Sequence, residues 1–195
     1  MKCDLNVKNS KSARRTLAAF SGALFELLEK QSLESVTISI LCEACDYPRA
    51  TFYNYFSDIY DLLDYCMSLI QIDLDIEKYK EVPEGGRTKF LFGIFYDYMT
   101  DPESWFSKAM VNNPPDGCFV REVRAYIKKQ IGLIMNELNA ADKFPVDSTI
   151  MIEHYGSTIE LILSHSLMAP EPISREQAMY MVDFLLCTLE RKVQK

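Results

Sequence analysis

Glycine is scarce in this chain, with seven in 195 residues. Two-residue hairpins depend on residues that accept positive φ, so the scarcity disfavours a hairpin-rich sheet and favours helices. No apolar run approaches the ~18 residues that would span a bilayer. The opening stretch MKCDLNVKNSKSARR is too polar for a secretory signal. The expectation is a cytoplasmic protein with no membrane association. Also missing are a Gly-rich phosphate loop, a Gly-x-Ser-x-Gly elbow and a histidine set by local sequence beside a Cys or Ser nucleophile. An enzyme is therefore not expected, and nothing calls for a cofactor. Internal repeats and low-complexity tracts are absent as well.

Basic residues are the minority, 21 Lys and Arg against 28 Asp and Glu, for a net charge of −7. That balance argues against nucleic acid as a partner until the charges are placed. Residues 1–15 hold Lys2, Lys8, Lys11, Arg14 and Arg15 against Asp4, a local charge of +4. Residues 16–66 hold only Lys30 and Arg49 against eight acids, a local charge of −6. Phosphate neutralisation would thus rest on the arm and on Arg49. A short basic stretch is equally compatible with a solvated tail.

What is present in quantity is apolar character, 48% of the chain, enough for a core in one ordinary domain or in a small head fused to a larger body. The stretch SVTISILCEACDYPRATFYNYFSDIYDL, Ser35 to Leu62, carries the clearest organisation. Thr37 is placed to cap a short helix containing Ile38, Leu41 and Cys45. Asp46 and Tyr47 form a turn, because Asp tolerates the left-handed conformation, and Pro48 has the φ suited to opening a helix. A second short helix then begins at Pro48 or Arg49. Helix, tight turn and helix are the layout of a DNA reader in which the start of the second helix meets base edges.

The run YPRATFYNYFSDIYDLL, with VTISILCEAC before it, resembles the N-terminal domain of TetR-type transcriptional regulators over residues 12–65. The resemblance implies an all-α, nine-helix fold: a three-helix DNA-binding head over residues 1–57, and a ligand-binding, dimerising bundle over residues 58–195. It implies a homodimer on a two-fold double-stranded DNA operator, released by a small hydrophobic or aromatic effector. Candidate DNA-contacting residues are Arg14, Arg15, Thr37, Tyr47, Pro48, Arg49, Ala50, Thr51, Tyr53, Asn54 and Tyr55. Tyr47 either reaches DNA or packs on the head. Where relatives carry a Lys at the start of the helix after the aromatic cluster, this chain has Ile59, followed by Tyr60. That departure, with the acidic head, supports a second reading as a co-regulator that docks on another protein.

Around the motif, helical spacing marks a first helix over 12–30 capped by Ser12, and a linking helix from Ser57 or Asp58 to about Lys80. Val82 to Arg87 forms a break. Helices follow over 88–99, from Asp101-Pro102 onward, from Val120 to Leu138, over 147–168 and over 174–193, the last opened by a Ser174/Gln177 capping box. The helix over 88–99 is apolar on almost every side and must be surrounded by others.

Three groups in the body admit a chemical and a plainer reading. Cys42 and Cys45 form a Cys-x-x-Cys pair with no second pair to complete a metal site, so no metal is expected. The six cysteines, at 3, 42, 45, 66, 118 and 187, suit a reducing compartment. His154 and His165 lie on one helix face about 16 Å apart, too far to share an ion within a chain. Tyr65, Phe92, Phe95, Tyr96, Met99, Trp105, Phe106, Tyr126 and Met135 either line an effector pocket or form ordinary core. For the dimer, Tyr155, Gly156, Ile159, Ile162 and Leu163 would join Met181, Val182, Leu185 and Leu189 in an isologous four-helix contact, as in proteins that resemble this one. The competing arrangement is a monomer with both faces internal.

Overall fold

The computed structural model describes residues 10–137 and 147–187. Among these are nine α-helices and no strand, in agreement with the all-α expectation. Packing divides the chain into two compact units. One holds the residues up to Asp73 together with Pro102–Val123, the other Leu74–Asp101 together with the residues from Arg124 onward. The expected functional partition, 1–57 and 58–195, falls earlier in the chain than this packing boundary.

In the first unit, α1 spans Lys11–Leu28. Its cap is Ser10, whose hydroxyl accepts the Ala13 N–H at 3.1 Å, rather than the expected Ser12. Leu17, Phe20, Leu24 and Leu28 recur at helical spacing and are buried. The short helices α2 (Ile38–Ala44) and α3 (Arg49–Tyr55) follow, then α4 (Ile59–Asp73). Asp58 opens α4 by accepting the Asp61 N–H at 2.9 Å, while the Asp61 carboxylate accepts the Ser57 N–H at 3.0 Å. Together these satisfy two donors that a helix start leaves open.

Helix α4 does not continue to Lys80. It ends at Asp73, and Asp75 takes a left-handed conformation, φ 50°, that an α-helix cannot accommodate. A 3₁₀ turn, Ile76–Glu81, replaces the expected helical end and buries Ile76 and Tyr79.

The remaining elements of the first unit are α6 (Trp105–Met110) and the opening turns of α7 (Cys118–Glu137). Helix α6 starts later than Asp101-Pro102 suggests. Asp101 closes the preceding helix, and Ser104 is the cap, accepting the Ser107 N–H at 3.1 Å. Trp105 packs edge-on against Phe25, ring centroids 4.6 Å apart, and its indole donates to the Phe25 carbonyl at 3.1 Å. Asn112 donates to the Glu29 carbonyl at 2.8 Å. Residues 102–123, remote in sequence, are thereby tied to the end of α1.

The second unit contains α5 (Arg87–Thr100), the rest of α7, α8 (Ser148–Leu167) and α9 (Arg175–Val182), which runs on as a π-helical turn, Asp183–Cys187. Helix α5 buries Leu91, Phe92, Tyr96 and Met99 and half-buries Phe90, Ile94 and Phe95, as its apolar circumference requires. The Ser174/Gln177 capping box is present in both directions. Ion pairs stitch the helices together at the rim: Arg175 to Asp97, Arg124 to Glu160 at 3.2 Å and Lys128 to Glu153. A Cβ at Gly156 would stand in ordinary contact, 3.5 Å, with the Lys128 side chain, so the packing of α7 on α8 does not require glycine there. Lys2, Lys8, Asp4, Leu138, Leu189, the rest of the 174–193 helix and the Met135 side chain lie outside the described residues.

Candidate nucleic-acid interface and effector cavity

The cap of α2 and the turn between α2 and α3 are both set by local hydrogen bonds and dihedral angles. Thr37 caps α2, its hydroxyl accepting the Ile40 N–H at 3.2 Å. At the other end Asp46 is left-handed, φ 55°. The Tyr47 N–H then reaches the Cys42 carbonyl at 3.0 Å, and the Asp46 N–H reaches that of Glu43 at 3.3 Å. This pair of bonds is a Schellman motif, the helix end that usually takes glycine at the left-handed position. Pro48, φ −62° and ψ 146°, is extended and places Arg49 as the first residue of α3.

Aromatic packing then sets which face of α3 is inward. Phe52 is buried edge-on to Phe20, centroids 5.5 Å apart, and Phe56 closes the cluster 5.5 Å from Phe52. With Phe52 inward, Arg49, Ala50, Tyr53 and Asn54 are exposed, and Thr51 and Tyr55 are half-buried. Pro48 and Thr37 are exposed, as are Arg14 and Arg15 on α1. Tyr47 is half-buried with its ring 5.4 Å from that of Phe20, so packing on the head accounts for it.

The electrostatics are mixed. Arg49 lines a shallow cleft with Ser39, Glu43 and Asp46. Among the described residues Arg14, Arg15 and Arg49 form no ion pair. Their charge is therefore available to an external anion. Ile59 is half-buried and Tyr60 exposed at the start of α4, so no cation stands there. Cys42 is buried and Cys45 half-buried, and burial pushes both thiols up, away from the reactive thiolate. Among the described residues no group of His, Cys, Asp and Glu is arranged to hold a metal ion.

In the second unit a small cavity of about 60 Å³ lies between α5, α7 and α8. Of the residues proposed from sequence for an effector, Phe92 and Phe95 line it. Tyr96, Met99 and Tyr126 are buried nearby in the chain but do not line it; the Tyr96 hydroxyl donates to the Ile173 carbonyl at 3.4 Å. Tyr65, Trp105 and Phe106 belong to the first unit, against Phe56, Phe25 and Phe119 respectively. They are part of its aromatic core. Sequence reasoning missed Ile127, Gln130, Ile131 and Ile134, although their i, i+3, i+4, i+7 spacing marks one face of α7.

Tyr155, Ile159 and Leu163, assigned from sequence to a dimer contact, also line the cavity. Tyr155, Gly156, Ile162, Leu163 and Val182 are buried within the subunit. Met181 and Leu185 are exposed, together with Leu161 (56%), Tyr180 (68%) and Phe184 (63%). The rings of Tyr180 and Phe184 stack 6.2 Å apart.

No family model matches the chain, and no curated protein matches it. Among solved structures, a protein titled "Clostridium perfringens putative fatty acid metabolism regulator" aligns over 86% of this chain and 96% of its own, with a TM-score of 0.51 and 12% identity. A second, titled "Dihydroxyacetone kinase operon activator DhaS", aligns over 90% of this chain and 97% of its own, with a TM-score of 0.49 and 16% identity. The chain has an all-α, TetR-like fold.

Proposed function

We propose that this TetR-like chain is a transcriptional regulator that binds a two-fold operator as a homodimer and releases it when a small apolar effector enters the second unit. The observation that carries the reading is the presentation of α3. A Schellman turn and the buried Phe52 hold a short helix whose outer face, Arg49, Ala50, Tyr53 and Asn54, is uncovered. Arg49 with Thr51 would meet bases or phosphate, Tyr53 and Tyr55 phosphate, and Arg14 with Arg15 backbone or minor groove. The copies would meet through the exposed apolar face of α8 and α9, which sets two heads one helical turn apart. Repression is the sign of control we favour.

Effector control needs different effector affinity in the two head spacings. Helix α4 stops at Asp73, whereas α7 is one unbroken helix. Its first turns belong to the first unit and its cavity-lining residues to the second. We therefore infer that α7, more than α4, carries the response.

The test is selection of bound fragments from the source organism's genomic DNA. Enrichment of two-fold sites with half-sites about 34–36 Å apart is expected. No enrichment at low salt would overturn the reading.

One observation favours a second reading. Arg49 shares its cleft with Glu43 and Asp46, and no cation occupies position 59. If DNA binding is absent at low salt and a regulator protein is bound instead, the chain is a co-regulator.

A further inference from the structure

We infer that the cavity between α5, α7 and α8 selects an uncharged ligand, discriminating against carboxylates and amines of the same shape. The inference rests on the reading above that this cavity receives the effector. Its walls are hydrocarbon from three helices: Leu91, Phe92 and Phe95 on α5, Ile127, Ile131 and Ile134 on α7, and Ile159 and Leu163 on α8. The polar groups among the lining residues are those of Thr88, Gln130 and Tyr155, and the Tyr155 hydroxyl donates to the Leu186 carbonyl at 3.4 Å. Among the described lining residues there is no Lys, Arg, His, Asp or Glu.

On α7, Arg124 pairs with Glu160 and Lys128 with Glu153, Lys129 is exposed, and none of the three lines the cavity. A charged ligand entering here would lose its hydration and meet no counter-charge, the costliest form of burial. A neutral ligand loses little and gains apolar contact on every side. Hardly any of the exposed wall is polar, so the ligand is held by apolar contact. At about 60 Å³ the cavity is smaller than one that admits benzene, ~150 Å³, so a ligand of ring size would have to displace a wall side chain such as Phe92 or Phe95.

The test uses three probes of one shape: benzyl alcohol, benzoate and benzylammonium. Each is titrated into the full chain carrying isotope-labelled isoleucine methyls, with Ile127, Ile131 and Ile134 read by NMR. The expected result is saturable shifts of these methyls by benzyl alcohol, at a Kd at least about tenfold below those of both ions. Gln130→Arg, which supplies a cation on the wall, should invert the order and favour benzoate. Benzoate binding the wild-type methyls as tightly as the alcohol would overturn the charge inference and leave the effector cavity standing. No shift from any probe, in the wild type or in the enlarged Ile131→Ala variant, would overturn the cavity reading and the inference with it.

Discussion

The Glu34 carboxylate accepts the backbone N–H of Cys118 at 2.7 Å, across 84 residues of sequence. Cys118 is the first residue of α7, so the carboxylate occupies the position where a helix N-terminus attracts negative charge. Beside it the buried Asn113 accepts the Leu33 N–H at 2.8 Å and donates to the Ala109 carbonyl at 2.8 Å. Burial and the neighbouring Glu34 push the Cys118 thiol up to about 11, which keeps it protonated and unreactive. Loop and helix start are thus pinned to the segment that precedes α2.

Acid should release this joint. Hydrogen bonding to the Cys118 N–H lowers the Glu34 carboxyl from 4.5 to about 2. A lowered folded-state value means the contribution is present in full above about 4.5 and is lost as pH falls toward 2. Glu34→Gln should therefore lower Tm at pH 7 and converge on the wild type at the acid end of that window. Thermal unfolding followed by circular dichroism across pH checks this; parallel curves at every pH would contradict it. Asn113→Ala, which leaves the Leu33 N–H buried and unpaired, should cost about 1–3 kcal/mol in urea unfolding.

Asp46 occupies a left-handed position that glycine fills at lower cost. Asp46→Gly should stabilise the chain by up to about 1 kcal/mol. It also removes an acid from the cleft that holds Arg49, so DNA affinity should stay level or rise. Urea unfolding paired with fluorescence anisotropy on operator DNA reads both effects, and a loss of stability would refute the strain argument.

Adjacent aromatics on α3 should separate folding from binding. Phe52 is fully buried, so Phe52→Ala should destabilise by about 3–5 kcal/mol. Tyr53 is half exposed, so Tyr53→Ala should leave Tm nearly unchanged and weaken operator binding. Equal destabilisation by both would mean that the outer face of α3 is covered.

The Ser35–Leu62 motif was legible because its signals are local: the Thr37 cap, the Asp46 turn and the aromatic spacing each act within a few residues. The Ser174/Gln177 capping box was legible for the same reason. The end of α4 was not, since Ile70 and Leu74 continue the helical spacing past Asp73, and only the left-handed Asp75 breaks it. For Trp105 the sequence points toward a pocket, because its partner Phe25 lies 80 residues away and nothing local announces it. For Tyr155, Ile159 and Leu163 the sequence points to a contact between copies, because periodicity identifies an apolar face without naming what covers it. Inside the subunit α5 and α7 cover that face, and the exposed apolar groups on α8, α9 and the π-helical turn are Ile150, Leu161, Tyr180 and Phe184 together with Met181 and Leu185 of the expected set.

That redistribution changes which substitutions should split a dimer. Leu161→Glu and Phe184→Glu place charge on exposed apolar positions and should shift sedimentation toward the monomer with Tm of the subunit largely kept. Leu163→Ala removes a buried side chain and should instead destabilise folding by about 2–5 kcal/mol. Unchanged sedimentation in the double variant Leu161→Glu/Phe184→Glu would place any dimer contact elsewhere.

The outward presentation of α3 is most directly tested by titrating wild type and Arg49→Ala against the same operator fragment over a range of salt. Wild-type affinity should fall steeply as salt rises, and Arg49→Ala should bind at least about tenfold more weakly at low salt with its fold intact. An Arg49→Ala protein that binds as tightly as wild type, with the same salt dependence, would contradict the assignment of this helix as the DNA reader.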